Sequence, residues 1–109
     1  MKPDMFDAIR VRFIERCRGD VQRLSEFRRR SADLAGRTVD DTLLRLAHGL
    51  AGTGGTLGFP EISRQAGDLE TLLIDTDGTE ADRRRALDAL IGSLERLIDA
   101  GPQSDNTIA

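Results

Sequence analysis

The sequence predicts an all-α fold, an antiparallel up-down bundle of four helices with a long first helix. Apolar residues recur at spacings of three and four along four segments, and short segments rich in turn and capping residues separate them. No segment alternates polar and apolar residues as a strand does. The 109 residues fit a single domain, which we place at 1–102, and the polar residues 103–109 are expected to form a flexible tail.

The first helix is predicted to run from Pro3, which suits a first turn, to about Ala32. Its apolar face consists of Phe6, Ile9, Phe13, Cys17, Val21, Leu24 and Phe27. Gly19 interrupts this pattern at a cost of about 1 kcal/mol relative to alanine. We therefore allow a kink near Gly19 or, alternatively, two helices divided at Gly19-Asp20. Cys17 lies on the apolar face, where we interpret it as a buried side chain and not as a reactive thiol.

The other three helices are predicted from their boundaries and apolar stripes. Thr38, followed three residues later by Asp41, resembles a capping box that opens the second helix. Gly58-Phe59-Pro60 ends that helix and starts the third, and Thr79 with Asp82 caps the fourth. The three stripes are, in turn, Val39, Leu43, Leu46, Ala47, Leu50, Gly54 and Leu57; Ile62, Ala66, Leu69, Leu72 and Leu73; and Ala86, Leu87, Leu90, Ile91, Leu94, Leu97 and Ile98.

Composition argues against several classes of function. The net charge of −3 gives no overall attraction to nucleic acid, and the arginine runs 28–30 and 83–85 are interpreted as solvated helix faces. No segment approaches the ~18 apolar residues of a membrane helix, and the N-terminus lacks a signal peptide's apolar region. We therefore expect a cytoplasmic protein without membrane partners. One histidine and one cysteine are too few for a metal site, and segment 52–58 lacks the Lys-Ser/Thr pair of a nucleotide-binding loop.

His48, the only histidine, is the most informative residue. On a helical wheel at ~100° per residue, it lies roughly 120° from the centre of the second helix's apolar stripe. Asp41, Arg45, Gly52 and Gly55 share its side. We therefore expect the imidazole to lie at the edge of the core or in solvent, where a partner can reach it.

Four glycines follow this histidine closely in the sequence, at positions 49, 52, 54 and 55. Each costs about 0.5–1 kcal/mol relative to alanine inside a helix. Gly52, one turn after His48, leaves the space above the imidazole free for a second protein or a phosphoryl group. Gly54, on the inner face, is expected to let a neighbouring helix pack closely. The alternative is that all four glycines serve helix contacts alone, or that the helix ends early.

Residues 46–70 resemble the signature of histidine-containing phosphotransfer (HPt) domains. That signature is a histidine, a leucine two residues later, usually a lysine next, and then a glycine. A second glycine follows ten residues after the histidine, and a Leu-Glu or similar pair lies on the next helix. The corresponding residues here are His48, Leu50, Ala51, Gly52, Gly58 and Leu69-Glu70. Ala51 departs from the pattern, since alanine cannot neutralise a phosphoryl group as lysine does.

The resemblance implies a phosphoryl carrier and not a turnover enzyme. His48 would accept a phosphoryl group from the aspartate of one receiver domain and pass it to another receiver in a two-component phosphorelay. Glu70 would hold one ring nitrogen and so orient the imidazole. Arg45 or Arg64 could replace the missing lysine. The residues expected to meet a docked receiver are Leu44, Ala51, Gly52 and Gly55.

The partners implied by the resemblance are the receiver domains of hybrid histidine kinases and of response regulators. No cofactor is expected in this chain, because Mg²⁺ would come from the receiver. A monomer is expected.

Other hypotheses were also considered. A non-catalytic helical adaptor could dock receivers or other signalling domains through the glycine-lined surface around His48. The phosphoacceptor helix pair of a histidine kinase would need an adjoining ATP-binding domain, for which 109 residues leave no room. A module excised from a larger hybrid kinase is compatible with the sequence.

Overall fold

The computed structural model describes residues 5–30, 41–75 and 77–101. These residues form four helices: α1 (Met5–Arg30), α2 (Thr42–Thr56), α3 (Pro60–Ile74) and α4 (Glu80–Ala100). No strand occurs in the described ranges, and the predicted all-α four-helix fold is confirmed. None of these helices is long and apolar enough to cross a membrane.

Neighbouring helices run antiparallel, and α1 packs against both α2 and α4. Near the start of α1, Arg10 Nε donates to the carbonyl of Leu57, just past the end of α2, at 2.8 Å. Near the end of α1, Arg28 pairs with Asp88 of α4 at 2.7 Å.

Most of the core comes from the predicted stripes, and Ile14 and Phe59 add to it. Its fully or almost fully buried apolar residues are Phe13, Ile14, Cys17, Leu24, Leu43, Leu46, Ala47, Leu50, Leu57, Phe59, Ile62, Ala66, Leu69, Leu87, Leu90, Leu94 and Leu97. Val39 lies outside the described residues, and the stripe residues that are only partly buried in α3 and α4 are Leu72, Leu73, Ala86, Ile91 and Ile98. The prediction was wrong at the start of α1, where Phe6 and Ile9 are each 42% exposed. They belong to the apolar stripe, but they line a surface groove beside α2 and are not part of the buried core.

Helix α1 runs without interruption through Gly19, so the alternative of two helices divided there was wrong. Cys17 is fully buried, as predicted. Burial raises the pKa of its thiol to about 12, because an apolar environment disfavours the thiolate. At neutral pH the group is therefore an uncharged apolar side chain.

The predicted start of α2 was wrong. Thr38 lies outside the described residues, and the helix begins at Thr42 with Asp41 as its N-cap residue. The Asp41 carboxylate makes no capping bond; it pairs instead with Arg45, one turn into the helix, at 3.0 Å. This salt bridge joins residues i and i+4 across the first turn of α2.

The later helix boundaries follow the prediction. Pro60 opens α3, and the Thr79 hydroxyl accepts from the backbone N–H of Asp82 at 3.0 Å to cap α4. At the end of α2, Gly58 has a φ of 84°, a conformation that favours glycine. The predicted start at Pro3 and the tail at 103–109 lie outside the described residues.

Candidate functional site

His48 lies in the middle of α2 with its side chain 77% exposed. Its neighbours Leu46, Ala47 and Leu50 are buried and hold this face of α2 against the bundle. The helix is therefore fixed while the imidazole projects into solvent. The edge position expected from the helical wheel is the one observed.

Glu70 reaches the imidazole from α3. Its Oε2 lies 2.7 Å from His48 Nδ1, and its side chain is 26% exposed. An ionised carboxylate can only accept a hydrogen bond, so Nδ1 carries the proton and donates it. In the neutral ring, Nε2 then keeps its lone pair. Nε2 is therefore available as a nucleophile, and the hydrogen bond from Nδ1 to Glu70 orients the ring.

Gly52 leaves the next turn of α2 bare, since a Cβ built on it would meet no atom within 4 Å. His48 and Gly52 belong to a shallow surface groove between the start of α1 and the second half of α2. The remaining residues that line this groove are Phe6, Ile9, Gly49, Thr53, Thr56 and Leu57. We call it the α1–α2 groove. Its walls are apolar or small, with the imidazole among them.

Gly54 and Gly55 lie against α3. A Cβ on Gly54 would come within 3.2 Å of Ile62 Cγ2 and 3.3 Å of Ser63 N, which confirms the predicted close helix approach. A Cβ on Gly55 would come within 3.1 Å of Ser63 Oγ. Helix packing therefore accounts for Gly55 without a receiver, and the docking role assigned to it stays a prediction.

The two arginines suggested by the sequence do not contact the histidine. Arg45, one turn before His48, is exposed and engaged with Asp41 at 3.0 Å. Arg64 is exposed on α3, six residues before Glu70, which places it about 9 Å away along the helix axis. Neither makes a hydrogen bond or ion pair with His48 or Glu70.

The remaining docking candidates flank the imidazole. Leu44, one turn before His48, is half-buried. Ala51 is also half-buried, and its carbonyl accepts from the Ser63 hydroxyl at 2.8 Å. Their contacts with a receiver stay predictions.

Arg16 of α1 was missed by the sequence analysis. A Cβ on Gly49, the residue after His48, would lie 3.7 Å from Arg16 Nη2. The Nε of the same guanidinium pairs with Asp20, at 3.6 Å from its Oδ2. The i,i+4 spacing of Arg16 and Asp20 is visible in the sequence, but no local signal shows that α1 brings Arg16 next to Gly49.

The site contains a single histidine next to a single carboxylate. Among the described residues, no group of three or more His, Cys, Asp or Glu side chains could hold a metal ion. The chemistry that the arrangement supports is nucleophilic attack by one imidazole nitrogen.

The comparisons with known proteins agree with this geometry. The family model described as Hpt domain matches residues 8–100, which span all of α2, α3 and α4 and nearly all of α1. No curated protein and no solved structure matches the chain. Because the match covers most of the sequence, the chain belongs to the Hpt domain family, the histidine-containing phosphotransfer domains.

Proposed function

We propose that this protein carries a phosphoryl group on His48 between receiver domains. The observation that supports this most directly is the hydrogen bond between Glu70 Oε2 and His48 Nδ1 at 2.7 Å, on a ring that is 77% exposed. An imidazole nucleophile requires a hydrogen bond that holds one ring nitrogen, here Nδ1, and access from solvent to the other, here Nε2.

In the loading step, His48 Nε2 attacks the phosphorus of the receiver's aspartyl phosphate in line. A nitrogen–phosphorus bond forms, the bond between phosphorus and the aspartyl oxygen breaks, and the receiver recovers its carboxylate. The proton on Nδ1 stays in place, and the Glu70 carboxylate stabilises the positive charge that the ring acquires. Transfer to a second receiver reverses these bonds. Mg²⁺ in this scheme belongs to the receiver.

The α1–α2 groove is where we place the receiver. Phe6 and Ile9 are each 42% exposed at its edge, and Gly52 adds no side chain next to the imidazole. Arg10 braces this edge: its guanidinium lies 5.3 Å from the Phe6 ring centroid and 5.0 Å from that of Phe59. A braced apolar rim around a reactive group is suited to a folded protein partner.

The partners in this proposal are receiver domains of hybrid kinases as donors and of response regulators as acceptors. The protein acts as a monomer in the cytoplasm. Sedimentation of the carrier alone and mixed with one receiver tests the stoichiometry, and a dimer of the free carrier would contradict that part.

The test is phosphoryl transfer from a labelled, phosphorylated receiver to the wild-type protein and to the His48→Gln variant. We expect label on the wild type that is lost in acid and kept in alkali, as a phosphorus–nitrogen bond requires, and none on the variant. Binding of the unphosphorylated receiver, measured in parallel, is expected to persist in the variant. Binding without any label on the wild type would favour the adaptor hypothesis and contradict the carrier.

A further inference from the structure

A phosphoryl group on His48 would bring two negative charges to the surface of α2, and transfer depends on neutralising such charge. The residue three positions after the histidine, usually lysine in the signature, is Ala51 here. Ala51 is half-buried and, being alanine, supplies no positive charge near the ring. A cation must therefore come from elsewhere in the bundle or from the receiver.

Arg16 is the cation that the packing of α1 places next to Gly49, the residue that follows the histidine. Its Nη2 lies 3.7 Å from the Cβ position of Gly49, so the guanidinium passes over the backbone next to His48. Gly49 has no side chain to push the guanidinium away. Arginine presents several N–H donors in one plane, a geometry that matches phosphoryl oxygens.

Asp20 explains how an exposed arginine is held there. Its side chain is only 6% exposed, whereas that of Arg16 is 54% exposed. Asp20 Oδ2 has no hydrogen-bond partner in the described structure, and the Arg16 guanidinium at 3.6 Å is its ion-pair partner. A buried carboxylate without compensation is costly, so the two residues restrain each other. The pairing involves Nε, while Nη2 of the same guanidinium lies next to Gly49 of α2.

The other candidates are placed less well. Arg45 is engaged with Asp41 at 3.0 Å, and Arg64 lies about 9 Å from Glu70 along α3. On the basis of the proposed function, we propose that Arg16 binds the phosphoryl group on His48 and supplies the charge that Ala51 lacks, while Asp20 positions its guanidinium.

The test compares Arg16→Gln with Arg18→Gln. Arg18 is the matched control, because it lies on the same helix, is 57% exposed and is paired with a carboxylate, Glu15, at 3.3 Å. Two residues along a helix, it points about 200° away from Arg16. The double variant Arg16→Gln/Asp20→Asn removes both charges of the pair, so it leaves no buried carboxylate unpaired if the single variant fails to fold.

Two phosphoryl donors separate chemistry from docking. The first is a phosphorylated receiver, and the second is phosphoramidate, whose phosphorus–nitrogen bond breaks to release ammonia as the bond to His48 Nε2 forms. The rate of His48 labelling and the affinity for the unphosphorylated receiver are measured for each variant.

We expect Arg16→Gln, or the double variant, to slow labelling by both donors about tenfold, a modest loss because the arginine is half-exposed. Arg18→Gln is expected to match the wild type, and the affinity for the receiver to be unchanged. Equal rates for the Arg16 and Arg18 variants would overturn the role of Arg16 while leaving the carrier intact. A wild type that neither donor labels would overturn the carrier itself.

Discussion

His48 Nδ1 and Glu70 Oε2 lie 2.7 Å apart across the interface of α2 and α3. The two residues are 22 positions apart in the sequence and meet because α2 and α3 are antiparallel and pack closely at Gly54, between His48 and the turn that joins the helices. The packing of α3 on α2 therefore sets the position of Glu70 relative to the imidazole. A change that shifts α3 relative to α2 would also move the group that orients the imidazole.

Glu70→Ala is expected to slow phosphoryl transfer to His48 without unfolding the protein. Without the carboxylate, the neutral ring is free to protonate Nε2, which removes the lone pair that attacks. The rate should fall by about tenfold to a hundredfold. This loss is smaller than that expected on removing a buried carboxylate that orients a catalytic imidazole, because Glu70 is partly exposed. Phosphoryl-transfer reactions quenched at successive times give the rate, and ¹⁵N NMR of the imidazole gives the tautomer.

Glu95→Ala is the control, since Glu95 is exposed on α4. It should leave both the rate and the tautomer unchanged. An unaltered tautomer in Glu70→Ala would show that the carboxylate does not orient the ring.

Ile9→Ser is expected to weaken binding of a receiver, because Ile9 forms part of the exposed edge of the α1–α2 groove. Val11 offers a matched control. The two residues are 42% and 45% exposed, yet two helical positions separate them by about 200°. Removing one exposed apolar contact at an interface should raise Kd about five- to tenfold. Titration calorimetry with an unphosphorylated receiver measures it, and equal effects of Ile9→Ser and Val11→Ser would place the receiver elsewhere.

Gly54→Ala is expected to destabilise the bundle although alanine favours helices. The new Cβ would lie 3.2 Å from Ile62 Cγ2 and 3.3 Å from the backbone nitrogen of Ser63, so α3 must shift. We expect a loss of about 1–2 kcal/mol in the free energy of unfolding, as overpacking exceeds the gain in helix propensity. Gly19→Ala, with no atom within 4 Å of its Cβ, should instead gain about 0.5–1 kcal/mol. Urea unfolding compares them, and a stabilised Gly54→Ala would contradict the packing argument.

Much of the fold follows from local chemistry in the sequence. The spacing of apolar residues predicts the helices and most of the core, and Thr79 with Asp82 marks the start of α4 because a capping bond needs only neighbouring residues. His48 could be placed outside the core from the wheel alone. Glu70 was identified only through the resemblance to the HPt signature, because a contact between two helices has no local pattern.

The features that could not be predicted depend on packing between helices. The position of Arg16 over Gly49 results from the register of α1 against α2, which periodicity does not determine. The exposure of Phe6 and Ile9 depends on how closely α2 packs against the start of α1, which the spacing of apolar residues does not show. The start of α2 was predicted too early, because Thr38 and Asp41 match a capping pattern while the carboxylate of Asp41 pairs with Arg45.

Asp20 provides a test of stability against pH. Burial raises its pKa above the ordinary value of 3.8, while the charges of Arg16 and Arg23 partly oppose this. The unfolded chain therefore releases this proton at a lower pH than the folded protein does. As the pH rises from 3.8 through the folded pKa, ionisation favours the unfolded state, and stability is lost until the folded group has also ionised.

Asp20→Asn removes this titration. We expect the variant to be more stable than the wild type at pH 7, and the difference to shrink as the pH falls through the folded pKa. Urea unfolding at pH 7 and near pH 4 measures the free energy of unfolding of both proteins. Asp68→Asn, at an exposed position on α3, is the control. Its free energy of unfolding should change between the two pH values as much as that of the wild type does. If Asp20→Asn is less stable at pH 7, the ion pair with Arg16 outweighs the cost of burying the carboxylate. The restraint on Arg16 beside His48 would then be a net contribution to the fold.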